Sequence, residues 1–339
     1  QYNALRLPKL ITYPGLKVER TYTPKGRIDL VTGTDTTTHT QPYATQNETR
    51  ITDYDYTFFD GTDLIQFIDI NGPLTDVTDT ARQEFDPQGS LIKVTNALGH
   101  TTSYENHNAR GLPRKITDAN NLVTDLVYSS RGWLTKKTVK SAKGNAITDY
   151  SYYKNGLLHT TGMPNGSHLT YIYNGARQLT SIQNGSGEKQ KFAPNKLNGG
   201  WKSLTYTEAG GSETYHRYRS FDELGRVNSE YTSLGHDIDY DLDPNGNIVL
   251  ATEAVDYGSE DKFRLTVSKY DAQNRLRNRA SDAQPAVSYD YDLAGNLVEV
   301  TVSGVSSQNT EYVYNGFGEA IYESSPATGA KTIYRNKAG

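Results

Sequence analysis

Cysteine is absent from the 339 residues, and its absence excludes disulfide scaffolds, thiol catalysis and metal sites with cysteine ligands. No stretch approaches the roughly 20 consecutive apolar residues that a membrane-spanning helix needs, and residues 1–10 lack a charged region followed by an apolar run. The sequence therefore predicts neither a membrane-spanning segment nor an intact signal peptide. Positive charge is not in excess either, since 35 Lys and Arg stand against 39 Asp and Glu, a formal net charge of −4. This balance excludes a strongly cationic nucleic-acid binder.

Methionine and tryptophan are scarce, with one Met and two Trp, and only 35% of the residues are hydrophobic. Tyrosine and glycine are abundant instead, with 26 Tyr and 30 Gly. Tyr, Thr and Val favour strands, whereas Gly, Asn and Asp favour turns. The composition therefore predicts an all-β chain. Because no Pro-, Ser- or Gly-rich linker divides it, we expect a single domain over residues 1–339.

A short pattern recurs along the chain: an aromatic residue, commonly followed by Asp or Asn, then a few residues, a Gly, and an aliphatic residue soon after. Internal repeats of this kind indicate the architecture of the whole chain. The clearest copies are Tyr289–Leu297, Tyr240–Ile248 and Phe221–Val227, and the weaker ones are Tyr22–Ile28, Phe85–Leu91, Tyr128–Leu134, Tyr152–Leu157, Tyr173–Leu179, Tyr314–Ile321 and Tyr270–Leu276, the last with Asn274 in place of Gly. The residues that define the repeat are Tyr128, Gly132, Tyr152, Gly156, Tyr173, Phe221, Asp222, Gly225, Tyr240, Asp241, Gly246, Tyr270, Asp271, Tyr289, Asp290, Tyr291, Asp292, Gly295, Tyr314 and Gly318.

Each copy of the pattern predicts a hairpin. Alternation of side chains before the turn gives the period of two that places successive residues on opposite faces of a strand. The segments Asp292–Gly295 and Asp243–Gly246 then supply a side-chain acceptor, a tight turn and a residue that adopts positive φ. A hairpin with a three- to five-residue loop and a Gly bulge follows. With about two strands per 20-residue unit, the chain is predicted to be a long antiparallel meander.

The alternation of Tyr-Asp-x-x-Gly-[Asn/Arg]-[Leu/Val] with Gly-x-x-Thr-x-Tyr resembles the tyrosine-aspartate (YD) repeats of the Rhs family. This family includes bacterial polymorphic toxins, the C components of insecticidal toxin complexes, and teneurins. The likeness is diluted over residues 1–84 and clearest over 85–321. It implies an antiparallel sheet wound as a spiral into a shell that encloses a toxin, or, in teneurins, a shell that supports adhesion. Because such shells are longer than this chain, we expect a partial β-shell, a piece of a larger one.

Toxin-bearing members of the family carry an Asp-Pro-x-Gly-Leu self-cleavage motif. Here Asp86-Pro87-Gln88-Gly89 continues with Ser90, and Asp243-Pro244-Asn245-Gly246 continues with Asn247. Neither segment matches the motif, so both are expected to be ordinary turns of the repeat.

Several residue patterns have both a structural and a functional interpretation. The periodic Tyr residues are expected to form ladders of rings on neighbouring strands, with a sugar- or peptide-stacking surface as the alternative. Alternating aspartates are expected to cap turns. Their separation of about 7 Å along a strand also fits a carboxylate pair of an inverting glycosidase or a calcium site. The alternating aspartates are Asp53 with Asp55, Asp239 with Asp241 and Asp243, and Asp290 with Asp292.

Charge is unevenly distributed along the chain. Residues 51–90 contain nine acids and one base, and residues 262–279 contain six bases and one acid. These segments are expected to be solvated faces, with pairing between turns of a spiral or contact with a cargo as the alternatives. The seven His residues lack metal-ligand spacing, although His216 and His236 lie one repeat apart and allow a metal site on adjacent hairpins.

We expect a non-enzymatic structural protein, a shell segment that encloses or displays a partner polypeptide such as a toxin cargo. No catalytic, cofactor or metal residues are assigned, and the expected partners are the rest of the shell and a cargo or a glycan. Nucleic acid is not an expected partner. A secreted or cell-surface location in a bacterium is expected. The alternatives are an extracellular carbohydrate-binding or adhesion module and, third, a polysaccharide-degrading enzyme on a β scaffold.

Overall fold

A computed structural model of the chain describes residues 1–195, 200–256, 261–304 and 309–337. These residues contain strands and no helix, as the composition predicts. The strands are β1 (Leu10–Tyr13), β2 (Leu16–Tyr22), β3 (Ile28–Asp35), β4 (Thr49–Phe58), β5 (Ile65–Asn71), β6 (Ala81–Phe85), β7 (Leu91–Thr95), β8 (Thr101–Glu105), β9 (Lys115–Thr117), β10 (Val123–Tyr128), β11 (Leu134–Val139), β12 (Ala146–Tyr152), β13 (Leu158–Gly162), β14 (His168–Tyr173), β15 (Leu179–Asn184), β16 (Lys189–Pro194), β17 (Trp201–Thr207), β18 (Glu213–Phe221), β19 (Val227–Thr232), β20 (Asp237–Leu242), β21 (Ile248–Asp256), β22 (Asp261–Tyr270), β23 (Leu276–Ser281), β24 (Gln284–Tyr291), β25 (Leu297–Val302), β26 (Asn309–Tyr314), β27 (Ala320–Ser325) and β28 (Gly329–Thr332). Within the described ranges, nothing forms a helix of the length and apolarity that crossing a membrane requires.

The 28 strands form one antiparallel sheet, which confirms the predicted meander. The chain folds as two compact units. Unit 1 comprises Gln1–Asp125, Tyr289–Thr301 and the described part of 305–339, and unit 2 comprises Leu126–Ser288 and 302–304. Within each unit, strands that follow one another in sequence pair side by side, for example β2 with β3 in unit 1 and β21 with β22 in unit 2.

The sheet has almost no core. Among the residues that the structure describes, Ile321 is the one buried apolar side chain. The accessible surface is 21025 Å², against roughly 13,800 Å² expected for a compact monomer of this mass. Most side chains are half-buried between neighbours on the same face of the sheet. Stability therefore depends on strand pairing and turn chemistry rather than on packing between layers.

A five-residue turn closes the YD hairpins, and Asp222–Arg226 is a representative case. The N–H of Asp222 donates to the carbonyl of Arg226, and the N–H of Gly225 donates back to the carbonyl of Asp222, both at 2.9 Å. Asp222 Oδ1 accepts the N–H groups of Leu224 and Arg226 at 3.0 and 2.8 Å. Gly225 has φ 77°, which suits glycine. The same arrangement begins at Asp86, Asn108, Asp243, Asp271 and Asn315.

The turn is followed by a β-bulge, as the repeat predicts. Phe221 pairs with Val227, and the register shifts between Ser220 and Phe221. In the turn that begins at Asp271, Asn274 takes the place of glycine and adopts φ 62°, a conformation that Asn tolerates better than most residues. The two Asp-Pro-x-Gly segments, Asp86–Ser90 and Asp243–Asn247, are ordinary turns of this kind.

The repeat tyrosines do not form the continuous ladder of stacked rings that was expected. Tyr128, Tyr152 and Tyr173 end every second strand, β10, β12 and β14, so their rings are about 9.6 Å apart, twice the strand spacing. This distance is too long for stacking. Instead the Tyr152 hydroxyl donates to the carbonyl of Leu134, the first residue of the neighbouring strand, at 2.8 Å. Stacking is local, as in the pairs Tyr56 with Phe58 and Tyr218 with Tyr231.

The same phenol bond recurs in unit 1. The hydroxyl of Tyr22 donates to the carbonyl of Pro8, and that of Tyr56 to the carbonyl of Ile28. Burial raises the pKa of the Tyr56 and Tyr152 hydroxyls. These three tyrosines therefore tie their own strands to a preceding part of the chain.

In unit 1, the β26–β27 hairpin and the residues after β28 pack against residues near the start of the chain. We call this contact the seam: Gly15, Asp35, Tyr43, Thr45 and Arg50 on one side, and Asn315–Ile321 with Ile333 and Tyr334 on the other. Asp35 is fully buried, and its Oδ2 accepts the N–H of Gly316 at 2.6 Å. A side chain at Gly316 would place its Cβ 2.1 Å from the carbonyl oxygen of Gly15. The two backbones therefore meet without an intervening side chain.

Charge and aromatic contacts complete the seam. Arg50 donates two hydrogen bonds to Glu319, at 2.9 and 2.5 Å, and its guanidinium lies 4.0 Å from the centre of the Phe317 ring. The rings of Tyr43 and Tyr334 stack at 5.1 Å. The largest fully buried side chains of the described residues, Ile321, Thr45 and Asp35, all belong to the seam. The seam is thus the most enclosed part of unit 1.

Removal of one phenol hydroxyl should weaken the sheet. We expect Tyr152→Phe to lower the free energy of unfolding by about 1 kcal/mol, because the Leu134 carbonyl loses its donor. Urea unfolding followed by far-UV circular dichroism measures the effect. Tyr2→Phe is the control, since Tyr2 is 73% exposed. Equal stability of the two variants would contradict the role of the hydroxyl.

The seam should weaken in acid. Arg50 lowers the pKa of Glu319 by hydrogen bonding and outweighs the effect of burial. A carboxyl whose pKa is lower in the folded protein stabilises the fold in full above its pKa in the unfolded chain, about 4.3. This stabilisation is lost as the pH falls through the pKa of the folded protein. We expect Glu319→Gln to remove this part of the pH dependence below about pH 4.5, measured by urea unfolding at a series of pH values. The exposed Glu311→Gln is the control, and a pH profile unchanged by Glu319→Gln would disprove the assignment.

Candidate functional site: the turn edge and two faces of the sheet

The turn aspartates are used by the turns themselves. Backbone N–H and guanidinium hydrogen bonds from Arg226 lower the pKa of Asp222, and the side-chain amide of Asn247 with nearby backbone N–H groups lowers that of Asp243. For Asp271, burial raises the pKa, but hydrogen bonds from Arg275 outweigh it. These carboxylates are therefore ionised caps.

Two copies of the repeat turn at the segments that the sequence predicts, after the Tyr-Asp pair and not at it. In the copies that contain Tyr240-Asp241 and Tyr289-Asp290, the turn starts two residues later, at Asp243 and Asp292. Asp241 and Asp290 lie within strands β20 and β24. The physical reason is register: Leu242, not Tyr240, pairs across the bulge with Ile248. An aromatic-Asp pair marks the turn directly at Phe221-Asp222 and Tyr270-Asp271.

The alternating aspartates therefore differ in role along one strand. Asp243 caps its turn, with Oδ1 accepting two backbone N–H groups and Oδ2 accepting the Asn247 amide at 2.8 Å. Asp239 and Asp241 remain on the strand and are exposed. Across the described residues, no group of three His, Cys, Asp or Glu side chains is arranged to hold a metal ion. His216 stacks on Tyr218, whereas His236 lies 3.6 Å from Glu253.

Hydrogen bonds link successive turns along the edge of the sheet in unit 2. Arg226 donates to the carbonyl of Asp243 in the next turn at 2.7 Å. Asn245 and Asn247 of that turn both donate to Asn274 of the turn that follows, at 3.0 and 2.8 Å. Along this edge of the sheet, each of these turns is therefore held to the next one by side-chain hydrogen bonds.

The sheet face that carries the repeat aromatics, which we call the YD face, contains a charged cluster in unit 2. Glu230 is 8% exposed and accepts hydrogen bonds from both Arg217 and Arg219. Burial raises the pKa of Glu230, but the two guanidinium groups outweigh it and lower the pKa. Arg219 lies 3.9 Å from the centre of the Trp201 ring. Sequence reasoning missed this cluster, for which the only signal was the alternation of Arg217 and Arg219.

The opposite face, which we call the open face, is uncovered in unit 2. One row of cross-strand neighbours runs over β18 to β22: Tyr218 pairs with Tyr231, Tyr231 with Asp237, Asp237 with Ala254, and Ala254 with Phe263. The rings of Tyr218 and Tyr231 stack at 5.1 Å. Tyr231 is 49% and Phe263 60% exposed.

Next to this row, the open face carries further apolar and acidic side chains. Along β22, Leu265 and Val267 follow Phe263 at alternating positions and are also exposed. Asp239 and Asp241 follow Asp237 in the same way on β20. A surface with aromatic, aliphatic and acidic side chains in ordered rows can contact an extended polypeptide along its length.

Members of the two uneven charge segments pair with neighbours inside their own units. In unit 1, Arg82 donates two hydrogen bonds to Asp69, at 2.6 Å each. In unit 2, Arg275 pairs with Asp271, and Arg264 with Glu253. The side chain of Lys262 lies outside the described residues. Local ion pairs, across strands or within one turn, thus account for part of both segments.

Comparison with known proteins finds solved structures with a similar fold. No protein-family model matches the chain, and no curated protein matches it. Among solved structures, the chain is similar to TcdB2-TccC3 without its hypervariable C-terminal region, with a TM-score of 0.62, 13% identity, and coverage of 95% of this chain and 19% of that one. It is also similar to the TcdB2-TccC3 structure, with a TM-score of 0.58, 12% identity, and coverage of 93% and 20%.

The chain thus spans about a fifth of the length of these chains. At such low identity the likeness concerns the fold. It confirms, at that level, the resemblance to YD-repeat shell proteins that the sequence predicts.

Proposed function

We propose that the chain is a non-enzymatic structural segment of a YD-repeat shell, and that it encloses or displays a partner polypeptide such as a toxin cargo. The observation that carries the proposal is the uncovered open face of unit 2. A sheet with a single buried apolar side chain among its described residues leaves ordered rows of side chains available to another chain.

The main clusters of polar side chains stabilise the sheet, which supports a structural role. The capping aspartates of the turns and the Arg217–Glu230–Arg219 cluster are engaged in holding strands and turns together. The TcdB2-TccC3 structures are complexes, and one of them lacks a hypervariable C-terminal region. A cargo in place of such a region, and a secreted or cell-surface location, belong to the proposal.

The open face suits a chain that is held without being folded against it. Tyr218, Tyr231 and Phe263 offer apolar contact, and the acidic row on β20 offers partners for cationic or amide groups. Exposed apolar residues are interrupted by charge, which limits the apolar area that a bound segment buries. Contacts of this kind hold an extended polypeptide weakly and along its length.

The proposal predicts binding of an unfolded polypeptide through the open row. Reduced, carboxymethylated α-lactalbumin, labelled with a fluorophore, should bind the chain, and the double variant Tyr231→Ser/Phe263→Ser should weaken binding about fivefold or more by fluorescence anisotropy, because it removes two exposed rings. The control is Leu234→Ser, at a hairpin tip and 78% exposed, which should bind like the unaltered chain. Circular dichroism checks that all variants fold. Absent binding, or equal loss in the control, would refute the role of the open face.

A further inference from the structure

A cavity of about 360 Å³ in unit 1 has the features of a small-molecule site. Its aromatic wall comprises Tyr54, Tyr56 and Phe58, which alternate along β4, so that they share one face. Tyr56 is fixed by its hydrogen bond to the Ile28 carbonyl, and its ring stacks on Phe58 with centres 6.5 Å apart. The rings are therefore held in place before any ligand arrives.

Charged side chains of both signs surround this wall. Lys25, in the turn after β2, hydrogen-bonds Asp63, in the turn after β4, so the two turns are joined across the cavity. Arg27 lies 5.1 Å from the centre of the Phe58 ring. Asp29 accepts a hydrogen bond from Thr21 through one carboxylate oxygen, Oδ2. The cavity thus combines aromatic rings with donors from Arg27 and acceptors from Asp29.

The chemistry of the lining discriminates between classes of ligand. Two carboxylates, Asp29 and Asp63, line the cavity and disfavour a phosphate or another anion. Lys25 and Arg27 disfavour a cation in the same way. A neutral polyhydroxylated ligand meets neither penalty, because each hydroxyl both donates and accepts, and its apolar C–H groups pack on aromatic rings.

We propose that this cavity binds a neutral saccharide, with a sugar ring against Tyr54 and sugar hydroxyls on Asp29 and Arg27. This site lies in unit 1, apart from the open face, and does not depend on the proposed polypeptide contact. The proposed site gives the structural segment a second role, the recognition of a glycan.

The test is titration of the chain with maltotriose, cellotriose and mannotriose by isothermal calorimetry and by ¹H–¹⁵N NMR. At least one trisaccharide should bind with a dissociation constant in the millimolar range or tighter and shift the resonances of residues 54–58. Tyr54→Ala and Asp29→Ala should each weaken binding about tenfold. Tyr54→Phe should bind within about twofold of the unaltered chain, since it keeps the ring.

The control is Tyr150→Ala, on β12 in unit 2, which removes another half-buried ring and should leave binding unchanged. Inorganic phosphate and spermidine, as charged probes, should not shift the resonances of residues 54–58. The proposal is overturned if no trisaccharide binds, if a charged probe binds this cavity more tightly than every trisaccharide, or if Tyr54→Ala binds as well as Tyr54→Phe. The α-lactalbumin experiment is independent of all these outcomes.

Discussion

Hydrogen bonds between neighbouring backbones are the interaction on which the rest of this structure depends. A compact protein of similar mass buries a core between layers, but here nearly all side chains keep contact with water on one side. The ladder bonds must then be fixed in register by other means, because a one-residue slip would move every side chain to the opposite face. The five-residue turns fix the register, since each sets where its two strands begin.

The two faces of the sheet divide the remaining tasks. The YD face carries the phenols that reach the neighbouring strand and, in unit 2, the ion pairs of Glu230 with two arginines. These side-chain contacts hold neighbouring strands together in addition to the backbone hydrogen bonds. On the open face of unit 2, the described rows of Tyr, Asp and Phe are joined across strands by the stacked rings of Tyr218 and Tyr231. The ion pairs and phenol hydrogen bonds of the YD face are thus the stronger cross-strand contacts, and the side chains of the open row stay exposed.

The parts of the fold that sequence reasoning predicted are local. Asp222 and Gly225 lie three residues apart, so their turn can be predicted from spacing and from the conformational preferences of the two residues. The Tyr152 hydrogen bond could not be predicted in this way, because the repeat shows only that a ring ends every second strand and not what its hydroxyl reaches. The turn after Tyr240-Asp241 was predicted in the same way, because Asp243 and Gly246 have the same spacing. The seam joins residues 281 positions apart, and the cavity beside Tyr54 needs two turns of different length to meet. No local pattern encodes either one.

The close approach of Gly316 to Gly15 and Asp35 restricts how sequences with this fold can vary. The carbonyl of Gly15 occupies the space where a methyl group at position 316 would lie, so a larger residue there requires the backbone near position 15 to retreat. Asp35 then loses the N–H group that its buried carboxylate accepts. Positions 15, 35 and 316 must consequently change together or not at all, and aligned relatives should show them as a coupled set despite the long stretch of chain that separates them.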